Sequence, residues 1–200
     1  KRTIQNDIRN AIAANQFEKA IKSWESTPIE LRDEAQGKQI EQLRNVVVPA
    51  TTLSEQGESL SKQGRLEEAI SSFEDALKIN PACEAARMGL GETQQKLSRI
   101  ESMLKEGFQA SLEQDYRKAV DTWIPILELR PGHPQAVKSI VDACTALAQQ
   151  LRAHGNLEGA LEAYKQASET DPQNRTVRRA LDELTNLHDK EQALIDRAQE

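Results

Sequence analysis

Apolar residues recur along this chain in steps of three and four, and four stretches share one pattern without gaps. They are Phe17-x-x-Ala20-Ile21-x-x-Trp24, Leu66-x-x-Ala69-Ile70-x-x-Phe73, Tyr116-x-x-Ala119-Val120-x-x-Trp123 and Leu157-x-x-Ala160-Leu161-x-x-Tyr164. That spacing places the marked positions on one face of a helix. Each face ends in a large aromatic. Its central alanine lets a second helix approach closely, because interaxial distance follows side-chain size. Glu67, Glu68, Lys118 and Glu158 fall between, on the outward side. Such a helix needs a neighbour to cover its apolar stripe.

The neighbour precedes it. Twelve residues before each alanine stands a small or apolar residue: Ile8, Gly57, Gly107 and Ala148. Turns follow at Asn15-Gln16, Gln63-Gly64, Gln114-Asp115 and His154-Gly155, where Gly64 and Gly155 can adopt the left-handed conformation that ends a helix. Each unit therefore predicts helix, turn, helix, an antiparallel hairpin. Asn80-Pro81, Arg130-Pro131 and Asp171-Pro172 close three of the units, since proline removes a donor and pushes the residue before it out of the helical region.

These residues resemble the tetratricopeptide repeat. The family's small-small-aromatic-small-proline ladder appears as Gly57, Ala69, Phe73, Ala76 and Pro81. It recurs as Gly107, Ala119, Trp123, Ile126 and Pro131, and as Ala148, Ala160, Tyr164, Ala167 and Pro172. In the first unit Thr27 and Arg32 replace the expected alanine and proline, as in a divergent or capping unit. The resemblance implies an all-α fold, a right-handed α-solenoid of antiparallel hairpins spanning 1–200. Its units are expected at about 1–33, 50–83, 100–133 and 141–174.

The alanine column departs from the family. Its spacings are 49, 50 and 41 residues, against a family period of about 34. Segments 34–49 and 84–99 are thus expected as inserted or elongating helix, and 175–200 as a capping and projecting C-terminal helix. For the second and third intervals elongation is preferred because it keeps later hairpins in the same direction, whereas one added antiparallel helix would reverse them. Two features leave alternatives open. Val46-Val47-Val48-Pro49 predicts a break in the first interval, and Gly91 could be the small residue of a half-deleted unit, making 84–113 two helices.

Charge and composition narrow the function. The chain has 26 basic and 32 acidic residues and a net charge of -6, which argues against a nucleic-acid partner. No apolar run is long enough for membrane insertion. The chain begins at Lys1 without a signal segment, as a piece of a longer protein would, and Cys83 and Cys144 fit no metal or disulfide framework, which favours a reducing, cytoplasmic setting. His133, His154 and His188 sit at no metal-ligand spacing, and no phosphate loop, dinucleotide fingerprint or nucleophile elbow is present. No catalytic residue, cofactor or metal is expected. Arg175, Arg178 and Arg179 are the one basic cluster.

The expected function is a noncatalytic module that binds a peptide or helix of a protein partner on a concave face, within a larger bacterial signalling or assembly protein. Self-assembly into a homo-oligomer, or service as a regulatory region of an enzyme lying elsewhere, are the alternatives. The resemblance implies partner-facing positions on the first helices: Thr51, Ser54, Glu58, Ser61 and Lys62 in one unit, and Glu101, Leu104, Phe108, Ser111 and Leu112 in the next. Leu104, Phe108 and Leu112 form an apolar stripe, either a partner groove or a seam against another helix. Chaperone-tail receptors of the family hold a carboxylate with basic side chains, whereas the matching places here carry Ser54, Glu58, Met88 and Glu92, two of them acidic.

Overall fold

Each of the four inter-helix turns contains a residue in the left-handed region: Asn15 (φ 56°), Gly64 (76°), Gln114 (61°) and Gly155 (76°). In the computed structural model, which describes the backbone of residues 2–199 and the side chains of 4–197, these turns join four pairs of helices. The pairs are α1 (Arg2–Ala13) with α2 (Phe17–Glu25), α3 (Glu34–Lys62) with α4 (Leu66–Ile79), α5 (Glu84–Leu112) with α6 (Tyr116–Leu129), and α7 (Pro134–Ala153) with α8 (Leu157–Thr170). The last helix is α9 (Arg175–Gln199), and the fold is all-α and tetratricopeptide-like. Side chains start several helices by accepting an orphan backbone donor. Asp33 accepts from Gln36 N at 3.0 Å and Asn156 from Gly159 N at 2.9 Å.

First and second helices differ in length. α4, α6 and α8 have 14 residues each, but α3 and α5 have 29 and α7 has 20. The long helices serve twice. Ile40 and Val47 of α3 join a cluster with Ile8, Ala20 and Ile21 of the first hairpin, whereas Ala50 of the same helix joins Ala69, Phe73 and Ala76 of α4. The chain forms two compact units, 1–97 and 98–200, and the division falls inside α5.

The break expected at Val46–Pro49 does not occur: α3 continues through Pro49. An interior proline costs roughly 3 kcal/mol, in part from a lost hydrogen bond. Here Pro49 and Asn45 lie on the exposed side, where water can take up the freed carbonyl, while Val47 and Ala50 are buried in separate clusters on either side. Segment 84–112 is likewise one helix.

Glycine seats the aromatic column. A methyl group on Gly57 would come within 2.8 Å of the Phe73 ring, one on Gly89 within 2.4 Å of it, and one on Gly107 within 2.2 Å of the Trp123 indole nitrogen. A methyl on Gly91 would meet nothing within 4 Å, so the residue that receives Phe73 is Gly89. Phe73 and Trp123 are 2% and 1% exposed, and aromatics buried to this degree dominate core energetics.

The first hairpin closes by other means. Arg32, where proline is expected, donates from Nε to the Thr27 carbonyl at 2.9 Å and from Nη2 to the Glu25 carbonyl at 3.0 Å. Its guanidinium carbon lies 5.6 Å from the Trp24 ring centroid. The arginine caps the end of α2 and covers the aromatic at once. At the other end of the chain Val177 and Leu184 of α9 are buried, while Leu194 and Ile195 are exposed.

Candidate interaction site

A shift of 50 residue numbers carries Gly57, Ala69, Phe73, Pro81 and Ala86 onto Gly107, Ala119, Trp123, Pro131 and Ala136. The same local frame is therefore built in both compact units. In residues 98–200 a groove lies between the second half of α5 and the first half of α7, and the two copies of the frame carry different side chains.

In residues 98–200 the groove has a volume of about 240 Å³. Phe108 and Ser111 of α5, Tyr116 and Trp123 of α6, and Ser139 and Asp142 of α7 line it. Phe108 stands edge-on to Trp123, with centroids 5.4 Å apart and planes at 74°. Trp123 Nε1 donates to the Leu104 carbonyl at 3.3 Å, which fixes the indole under the groove. Phe108 is 42% exposed, Leu112 79%, and Asp142 is exposed at the rim.

In residues 1–97 the corresponding places are Glu58, Ser61, Leu66, Phe73, Gly89 and Glu92. Glu58 accepts from Lys62 Nζ at 2.6 Å, and both are exposed; the ammonium holds the Glu58 carboxyl below its usual range. Ser61 Oγ accepts from Lys96 Nζ at 3.1 Å and lies 3.3 Å from Thr93 Oγ1, which donates to the Gly89 carbonyl at 2.7 Å. Lys96 is half-buried and Thr93 buried. The chain's own lysine lies against Ser61 there.

The residues singled out from sequence thus divide. Phe108 and Leu112 are open to solvent, with Leu104 half-buried beside them and Glu101 exposed. Glu58 and Lys62 form a surface ion pair, of a kind that adds little stability. Ser54 and Ser61 are 5% and 8% exposed, so contact from outside reaches neither side chain freely. Sequence reasoning took each first helix alone and so missed Ser139 and Asp142, which the following long helix brings across from Phe108. The 50-residue shift was the available signal.

A cleft of about 820 Å³ in residues 1–97 lies between the α1–α2 and α4–α5 turns, lined in part by Phe17 and Met88. Lys19 and Arg87 share its rim with Glu18 and Glu84, so its charges select no sign. Cys144 is fully buried, and its thiol donates toward Gln166 Oε1 at 3.6 Å. Burial, and then the nearby Asp121 carboxylate, push that thiol up to about 12.

A family model for the tetratricopeptide repeat matches residues 50–83, the segment formed by the second half of α3, α4 and the following turn. That segment is a tetratricopeptide repeat. No curated protein matches it. Among solved structures it is similar to the tetratricopeptide domain of P58(IPK), at 14% identity and a TM-score of 0.41, over 99% of this chain and 68% of that one. It is also similar to the C-terminal tetratricopeptide-containing domain of a Plasmodium falciparum FK506-binding protein, at 21% identity and a TM-score of 0.31, over 74% and 93%. A third is the TPR2AB domain of yeast Sti1 in a pHSP90 complex, at 16% identity and a TM-score of 0.25, over 92% and 96%. No described helix is long and apolar enough to cross a membrane, and no group of three or more His, Cys, Asp or Glu among the described residues is placed to hold a metal.

Proposed function

We propose that this chain is a noncatalytic protein-interaction module, and that its partner docks on the face formed by Leu104, Phe108 and Leu112 with the adjoining groove. The observation that carries this reading is the exposure of Phe108 (42%) and Leu112 (79%), two large apolar side chains one helical turn apart beside a concave pocket. Neighbouring apolar groups left in water favour association when a complementary surface arrives. Glu58 and Glu92 stand where a carboxylate-holding site would need cations, so the reading excludes a free C-terminal tail as the ligand. The net charge of -6 supports a protein rather than a nucleic-acid partner, and two buried, unbridged cysteines support a reducing compartment such as the cytoplasm. Within a larger bacterial signalling or assembly protein, the module would bring that partner to its host.

The test is a comparison of proteins captured by the wild type and by a Phe108→Glu, Leu112→Glu variant, with far-ultraviolet circular dichroism as a control for folding. A variant that stays helical and loses specific partners supports the reading. Identical capture by both overturns it. A second reading, pairing of copies through α9, draws on the exposure of Leu187, Leu194 and Ile195, and a concentration-independent monomer in sedimentation would exclude it.

A further inference from the structure

The groove in residues 98–200 combines aromatic lining with an acid. Phe108 and Tyr116 line it together with Asp142. Among the described residues Asp142 joins no salt bridge. Aromatic faces attract cations through their negative quadrupole, and an unpaired carboxylate beside them adds to that attraction. Both features favour a positive side chain that carries a long apolar stem.

The other compact unit provides an internal precedent. There the equivalent of Ser111 is Ser61, and it accepts a hydrogen bond from the half-buried ammonium of Lys96 at 3.1 Å. The equivalent of Asp142 is Glu92, one turn before that lysine on α5. Shifted by 50, Lys96 becomes Ala146. The frame that holds an ammonium in residues 1–97 is thus repeated in residues 98–200 without the lysine. Its counterparts of Glu58 and Leu66 are the aromatics Phe108 and Tyr116.

We infer that this groove receives a lysine side chain of the partner, seated between Phe108, Tyr116 and Asp142, with the partner's apolar residues alongside Leu112. The inference rests on the docking face proposed above and adds to it the chemistry of the anchor. A volume of about 240 Å³ suits one long side chain rather than a folded segment.

The test uses a fluorescein-labelled amphipathic 12-residue peptide of leucine and lysine, and a second peptide with norleucine in place of each lysine. Binding is read by anisotropy, and the indole N–H resonance of Trp123 reports the site. The lysine peptide is expected to bind more tightly than the norleucine peptide and to shift the Trp123 resonance. Asp142→Asn should weaken the lysine peptide about fivefold and leave the norleucine peptide unchanged. Ala146→Lys, which restores the residue found in the other unit, should weaken it at least as much, whereas Ala146→Met in the same fold should do so less. Equal affinity for the two peptides, or indifference to Asp142→Asn, would overturn the inference. If both peptides are then still lost with Phe108→Ser, the docking face survives and only the cationic anchor fails. Lysine-peptide binding that survives Phe108→Ser, or no binding of either peptide at millimolar concentration, rejects face and anchor together.

Discussion

The two compact units repeat one frame and use it differently. In residues 1–97 the places beside the buried aromatic carry polar contacts of the chain itself: Glu58 pairs with Lys62, and Lys96 donates to Ser61. In residues 98–200 the same positions carry Phe108, Leu112 and Ala146, and Phe108 and Leu112 stay 42% and 79% exposed. The part of the frame that the two copies share is glycine, alanine and aromatic, which set how close the helices come. The groove positions lie outside that close contact, so they vary at little cost to stability. Fold and recognition are thus written in different residues of the same helices.

The largest expected effect separates the aromatic seats. Gly107→Ala would push a methyl against backbone-anchored indole, since Trp123 is held by its bond to the Leu104 carbonyl. Overpacking of a tight core typically costs about 1–3 kcal/mol, and this substitution should lie at the upper end. Gly57→Ala meets the Phe73 ring less closely and the ring carries no hydrogen bond, so its cost should be smaller. Gly91→Ala, with open space around it, should stabilise α5 by about 0.5–1 kcal/mol. Urea denaturation of the three variants measures the order. A Gly57 cost equal to or above that of Gly107 would mean the two seats are not different in kind.

Most of the fold was legible because it is repeated. A single Ala-x-x-x-aromatic spacing carries little information, but four copies with turns and prolines in register leave few other architectures. The course of α3 through Pro49 was not legible. β-branched residues and proline are local signals against a helix, and the burial of Val47 and Ala50 that outweighs them depends on partners distant in sequence. The candidate site was legible by half for a related reason. Phe108 and Leu112 follow from one helix, while Asp142 and Ser139 reach the groove from the next, across a separation that no helical period reports.

A smaller effect is expected where one closure replaces another. Pro81 and Pro131 end their units by blocking the helix, but Arg32 ends its unit with two hydrogen bonds to carbonyls and a ring contact. Arg32→Ala should cost about 1–2 kcal/mol, more than an exposed residue usually contributes. Hydrogen exchange should speed at the end of α2 and leave α6 unchanged. Uniform loss of protection across both units would show that the arginine is not a local cap.

Cys144 marks another departure, since its counterpart is Gln94. Because burial raises its thiol to about 12, the folded state favours the neutral form. The sign follows: that contribution is complete below the ordinary value of 9.0 and is lost as pH rises from there toward about 12. No effect is expected at neutral pH. Between pH 9 and 12 stability should fall less steeply in Cys144→Ala than in the wild type, and equal slopes would remove the thiol from the account.

The smallest effect tests whether the turns, too, are equivalent. Gly64 and Gln114 occupy the same place in the two frames and both take a positive φ, 76° and 61°. An L-residue there crowds its Cβ against the following carbonyl oxygen, while glycine does not. Gln114 therefore carries strain that Gly64 lacks. Against this, glycine also widens the unfolded ensemble, which offsets part of the gain. Gln114→Gly should leave a net stabilisation of about 0.5–1 kcal/mol, confined to residues 98–200, with the groove and its ligands unchanged. Thermal unfolding of the variant beside wild type measures it. Net destabilisation would mean that the glutamine side chain contributes contacts at this turn for which the glycine in the other unit has no counterpart.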